Sequence, residues 1–114
     1  MKRKTERNYK LCDVIVPMKA KELFRVKEAQ GIGIVEVVIW QVPEPIPPSE
    51  HPYKYRLVYV VEGKRIVGYD NERGKGDHKH IGCREEAYRF VNPQQLMANF
   101  MTDIKGVENE RAHS

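Results

Sequence analysis

Cysteine and tryptophan are scarce: the 114 residues include two cysteines and one tryptophan. Cys12 and Cys83 are too few and too isolated for a disulfide framework or a metal knuckle, and they read as reduced thiols of a cytoplasmic protein. Long apolar runs are missing as well. The longest, Val37 to Ile39 running into Trp40, is far short of the ~20 residues of a membrane-spanning helix. The basic N-terminus has no apolar stretch behind it, so it does not read as a secretory signal, and no membrane association is expected. Repeats and low-complexity tracts are absent, and so is any phosphate-binding P-loop or nucleotidyltransferase signature. Transfer of a group to RNA therefore ranks last among the activities considered below.

What is present fits one domain. Forty per cent of the residues are hydrophobic and 32% are charged. The net charge of +4 sits entirely in residues 1–10, where Lys2, Arg3, Lys4, Arg7 and Lys10 face only Glu6. This stretch reads as a basic flexible tail, residues 11–106 as a single domain, and residues 107–114 as a flexible C-terminus. Leu11 to Val16 makes a short entry segment. Residues 22–42 read as a β-hairpin: Leu23, Phe24 and Val26 interleave with charges, Gly31 and Gly33 supply a turn, and Ile34 to Val42 is rich in β-branched residues. Five of the seven prolines fall in 43–52, which makes this an extended, stiff connector.

A second hairpin follows. Tyr53, Tyr55, Leu57, Tyr59 and Val61 share one face of a strand, with Lys54 and Arg56 on the other. Glu62-Gly63 turns the chain into a fourth strand from Arg65 to Tyr69, by either a two-residue or a bulged loop. Residues 70–80 then read as an exposed loop projecting from the sheet edge, with glycines on both sides of Lys75. Asn92 as N-cap, Pro93 in the first helical position and Gln95 three residues after the cap begin a helix. Leu96, Met97, Phe100, Met101 and Ile104 give it an apolar stripe, and Gly106 follows as a stop. The expected fold is α+β: an antiparallel four-stranded sheet from two hairpins, with the C-terminal helix packed on one face.

The runs Val38–Pro45, Tyr53–Leu57 and Gly68–Gly82, with Glu85-Glu86, Tyr88-Arg89-Phe90 and the helix after Pro93, resemble the TumE family of bacterial and archaeal toxins. The resemblance covers roughly residues 20–104, with Ala87 standing where a proline often precedes the Tyr-Arg-Phe triplet. It implies the toxin half of a toxin–antitoxin pair that inhibits growth, with a cognate helix-turn-helix antitoxin as partner; a homodimer is a separate option, not one that the resemblance supplies.

Cleavage of an RNA backbone without metal needs a base for the 2′-hydroxyl, an acid for the 5′-oxygen and cations for the phosphorane. His78 and His80 stand two apart, on one face of an extended strand, and titrate in the right range for acid and base. Asp70 is placed to orient a histidine, and Arg73 to stabilise charge. Lys54, Arg56, Lys75 and Lys79 are candidate phosphate contacts, and Tyr69 or Tyr55 a candidate base platform. No cofactor or metal is expected, because His-Xaa-His plus Asp70 is a weak ligand signature. The rival reading is a non-catalytic protein that binds an antitoxin or a nucleic acid, with the basic loop as an interface rim and Trp40 and Tyr59 as anchors.

Overall fold

A computed structural model describes residues 8–11, 14–17 and 19–112. The elements are β1 (Asn8–Leu11), β2 (Val14–Pro17), β3 (Lys21–Gln30), β4 (Gly33–Gln41), β5 (Tyr53–Val61), β6 (Lys64–Glu72), β7 (Gly76–Ile81), β8 (Arg84–Ala87) and α1 (Pro93–Ala112). Strands β1 and β2 pair with each other, and β3 to β8 form one antiparallel sheet in sequence order. The α+β class and the single packed helix are as the sequence indicates. The sheet has six strands, however, and not four.

The difference lies in residues 70–87. The expected loop is a pair of strands, because Asp70↔His78 and Gly68↔His80 continue the ladder from β6 to β7, and His80↔Glu85 extends it to β8. The turn itself is only Arg73–Lys75. Polar side chains on both faces hid these strands, since alternation of apolar and polar residues is the usual signature of a half-buried strand. At the N-terminus, residues 8–10 of the expected tail belong to β1; the rest of the tail and Cys12 lie outside the described residues. At the other end the helix runs through Gly106 to Ala112. Gly106 faces open space, and beyond it Glu108 accepts a hydrogen bond from Tyr59 Oη at 3.2 Å, holding the last turns to the sheet.

The β5–β6 connection is the two-residue loop, and the register shift lies farther along the ladder. Glu62 and Gly63 have φ of 52° and 78°, a two-residue turn whose left-handed backbone suits the twist of a hairpin. A bulge then shifts the register between Tyr59 and Val60 and sets Arg56 opposite Asp70. One face of the sheet carries Val35, Val37, Ile39, Tyr55, Leu57, Tyr59, Val61, Val67 and Tyr69, which pack with Leu96, Phe100 and Ile104 of α1. The helix begins as expected: Gln95 N–H donates to Asn92 Oδ1 at 2.7 Å. No helix among the described residues is long and apolar enough to cross a membrane.

Candidate functional site

The face turned away from α1 carries the charged and imidazole groups. Residues directly opposite on neighbouring strands share a face, so the registers define a row across the sheet: Arg25, Val38, Arg56, Asp70, His78 and Ala87. A parallel row brings Gly68, His80 and Glu85 side by side. The expectation that His78 and His80 share a face and lie together agrees with this arrangement, their rings being 5.3 Å apart and nearly perpendicular. At Gly68 a side chain would collide with Arg65, whose Cδ lies 2.8 Å from the Cβ position. The missing side chain thus lets Arg65 lie across the sheet beside His80.

His78 is 4% exposed. Its Nδ1–H donates to the carbonyl of Gly76 at 3.0 Å, which leaves Nε2 as the working nitrogen. Nε2 lies 2.5 Å from Asp70 Oδ1, 3.9 Å from Glu72 Oε1 and 3.7 Å from Glu85 Oε2. Asp70 Oδ1 is buried, and no hydrogen-bond donor is aligned on it despite the short approach of the ring. His80 Nε2 lies 3.5 Å from the same Glu85 oxygen, and its side chain is 16% exposed. Burial, then the positive charge of Arg65, pushes the His80 imidazolium below its ordinary pKa, with Glu85 partly opposing. His80 therefore stands neutral near pH 7. Glu85 also pairs with the Lys75 ammonium at 2.6 Å, which lowers the glutamate and raises the lysine.

Several expected roles do not survive this geometry. The expected phosphate-binding cations do not line His78, whose Nε2 faces carboxylates, while His80 has Arg65 of β6 as well as Glu85 beside it. Lys54 is buried, and its ammonium donates to the carbonyl of Asn71, so it is turned away from any phosphate. Burial also lowers its pKa, against the pull of Asp70 and Glu72. Tyr69 is 1% exposed beneath α1 and its hydroxyl donates to Asp103, which removes it as a base platform. Tyr55 is fully buried too. Lys79 stands opposite Tyr69 on the helix face, 3.3 Å from Asp103, and not beside the histidines. Arg73 occupies the exposed turn tip and makes no ion pair among the described residues. Trp40 and Tyr59 are buried and offer no interface anchor. Arg56 and Lys75 remain on the histidine side.

A second cluster, not singled out in the sequence, occupies the opposite face. Asp77 accepts hydrogen bonds from Ser49 Oγ at 2.5 Å, His51 Nε2 at 2.7 Å and Tyr55 Oη at 2.6 Å. Burial works against its charge, but these three donors outweigh it and hold the carboxyl below its ordinary pKa. The same burial and the Asp77 bond drive the Tyr55 phenol far upward. His51 stacks on Phe90 at 3.8 Å, and its Nδ1 accepts from Tyr53 N–H at 3.3 Å. With both nitrogens engaged and Ser49 bonded to the carboxylate, this is no serine–histidine relay. It ties the proline-rich segment to β7. The one available signal was the period of two, which places Asp77 on the face opposite His78.

An apolar groove among the described residues lies elsewhere, between β3 and the start of α1. It encloses about 450 Å³ and is lined by Leu23, Phe24, Ile39, Tyr53, Pro93 and Met97 among others. No curated protein and no solved structure matches the chain. A family model described as "Toxin TumE" matches residues 12–108. Toxins of such families have a cognate antitoxin as a partner in general. Since the matched segment spans both histidines, the six-stranded sheet and most of α1, the chain belongs to the TumE toxin family.

Proposed function

We propose that this toxin acts on RNA, cleaving the backbone at the sheet face turned away from α1 by imidazole acid–base chemistry. The observation that carries this reading is the pair of rings 5.3 Å apart on that face, in cross-strand rows that also hold Asp70 and Arg56, with the Arg65 side chain lying over Gly68. Neutral and the more exposed of the two, His80 takes the 2′-hydroxyl proton. His78, with Asp70 as counter-charge, delivers a proton to the departing 5′-oxygen. A pair of this kind contributes typically ~10²–10⁴-fold per group. Arg56 and Arg65, on the same face, offer paired donors to the phosphate oxygens as charge builds on the phosphorane.

The test is turnover of RNA by antitoxin-free chain in the presence of a chelator. His80→Ala is expected to lose about 10²-fold or more while keeping its circular dichroism and antitoxin affinity. Unchanged turnover in that variant, or no cleavage by the parent chain, defeats the proposal.

A binding-only toxin remains the second reading, and one observation favours it: Leu23 and Phe24 are exposed on β3, an edge strand of the sheet, beside the groove. An antitoxin or target protein laid along that edge would gain main-chain hydrogen bonds and side-chain pockets together. A parent chain that binds its antitoxin and cleaves nothing is the outcome this reading requires.

A further inference from the structure

We propose that His78, His80 and Glu85 form a binding site for a divalent transition metal of the zinc and cobalt type. Ligand atoms of the three residues all lie within 4.8 Å of one another. His78 Nε2 and His80 Nε2 approach the same glutamate oxygen, Glu85 Oε2, at 3.7 and 3.5 Å. Zinc holds nitrogen and oxygen ligands at roughly 2.0–2.2 Å, which sets neighbouring ligands of a tetrahedron about 3.4 Å apart. Each imidazole nitrogen needs to close on that oxygen by only a few tenths of an ångström, and the exposed Glu85 side chain must leave Lys75 to make the movement.

Two further observations point to a cation there. His78 donates Nδ1–H to the Gly76 carbonyl, the arrangement by which metal-bound histidines are commonly oriented and their tautomer fixed. That bond leaves Nε2 facing the Asp70 carboxylate at 2.5 Å, whose negative charge favours a cation at this nitrogen, a proton in the metal-free chain and the metal in its place. The Lys75 ammonium lies 2.6 Å from Glu85 Oε2, and a metal would have to displace it. Imidazole nitrogen with carboxylate oxygen suits zinc, cobalt or nickel better than magnesium or calcium, which favour all-oxygen shells.

Binding is independent of whether RNA is cleaved, but it bears on that reaction. A metal occupying both Nε2 atoms leaves neither free to take or give a proton, so zinc is expected to silence imidazole catalysis. The measurement is titration of chelator-stripped full chain with Zn²⁺ by calorimetry and with Co²⁺ by visible absorption. One equivalent should bind with Kd below about 10 µM, and Co²⁺ should develop the intense visible bands of a four-coordinate site. His80→Ala and the exposed Glu85→Gln should each weaken binding more than about 10-fold, with unchanged circular dichroism, and Lys75→Gln should tighten it several-fold. The site is refuted if the parent chain binds no Zn²⁺ at 1 mM (about −4 kcal/mol), or if His80→Ala and Glu85→Gln bind as tightly as the parent. Unchanged or weaker affinity in Lys75→Gln contradicts the placement of Glu85 in it. A chain that binds zinc and cleaves no RNA keeps the site and loses the nuclease; one that cleaves and binds no zinc does the reverse.

Discussion

Asn71→Ala probes how the sheet is held where its histidine face begins. Asn71 is fully buried, and its side chain does the work of a missing stretch of ladder. Oδ1 accepts from Tyr55 N–H at 3.0 Å, and Nδ2 donates to the Tyr53 carbonyl at 2.8 Å and to Ser49 Oγ at 3.3 Å. Ordinary pairing of β5 with β6 ends at Arg56↔Asp70, so these bonds bind the outer turns of β5 to its neighbour. Truncation leaves the Tyr55 donor and the Tyr53 acceptor without their partners, while Ser49 keeps Asp77. Each orphaned buried group costs about 1–3 kcal/mol, and the expected loss is roughly 3–4 kcal/mol. For a domain near 100 residues this corresponds to a fall in Tm of ~12–25 °C. Urea unfolding followed by circular dichroism gives the free energy directly, with Asn92→Ala at the helix N-cap as a comparison expected to cost about 1 kcal/mol. A loss under about 1 kcal/mol for Asn71→Ala would show that water or a shifted backbone replaces these bonds, and the reasoning would fail.

Asp77→Asn should destabilise the chain at neutral pH, measured by urea unfolding, because a charged acceptor of three hydrogen bonds is lost. Since the folded carboxyl titrates below its ordinary 3.8, its stabilisation is present above that value and disappears as pH falls through the folded pKa. The parent should therefore lose its advantage over Asp77→Asn progressively as pH falls below about 4; a difference that does not shrink there contradicts the assignment. Gly33→Ala places a Cβ 2.6 Å from Tyr59 Cε1 and 2.7 Å from the Val60 carbonyl oxygen, and should cost about 1–3 kcal/mol in urea unfolding by overpacking against rigid backbone. Neutral behaviour there would refute the close approach. Tyr69→Phe, which removes the hydroxyl bonded to Asp103, should cost about 1–2 kcal/mol and leave RNA turnover within about twofold, since Tyr69 lies under the helix; a loss of turnover like that of His80→Ala would return Tyr69 to the site.

The parts of the molecule legible in the sequence were those with a local physical cause. Asn92, Pro93 and Gln95 announce a helix start because the cap bonds are made within one turn. Tyr53 to Val61 announces a strand because one of its faces is apolar throughout. Strands β7 and β8 gave no such signal: Asp77, Lys79, Glu85 and Glu86 are spoken for by polar partners on each face. His78 and His80 were visible as a pair two residues apart, and extended backbone brings them together. Their carboxylate neighbours were not, because Glu85 reaches His80 only through the Gly82-Cys83 turn and Glu72 reaches His78 only through the turn before β7. Lys54 misled for a related reason, since alternation alone puts it on the histidine face and does not reveal that its ammonium turns down to the Asn71 carbonyl.

The chemistry of the RNA ends tests the central claim most directly. Cleavage by the two imidazoles proceeds through attack of the 2′-oxygen, so in the presence of a chelator the products should carry 2′,3′-cyclic phosphate and 5′-hydroxyl ends. A substrate with deoxyribose at the cleaved position should resist. Products ending in 3′-hydroxyl and 5′-phosphate, or equal cleavage of the deoxyribose substrate, would contradict the account.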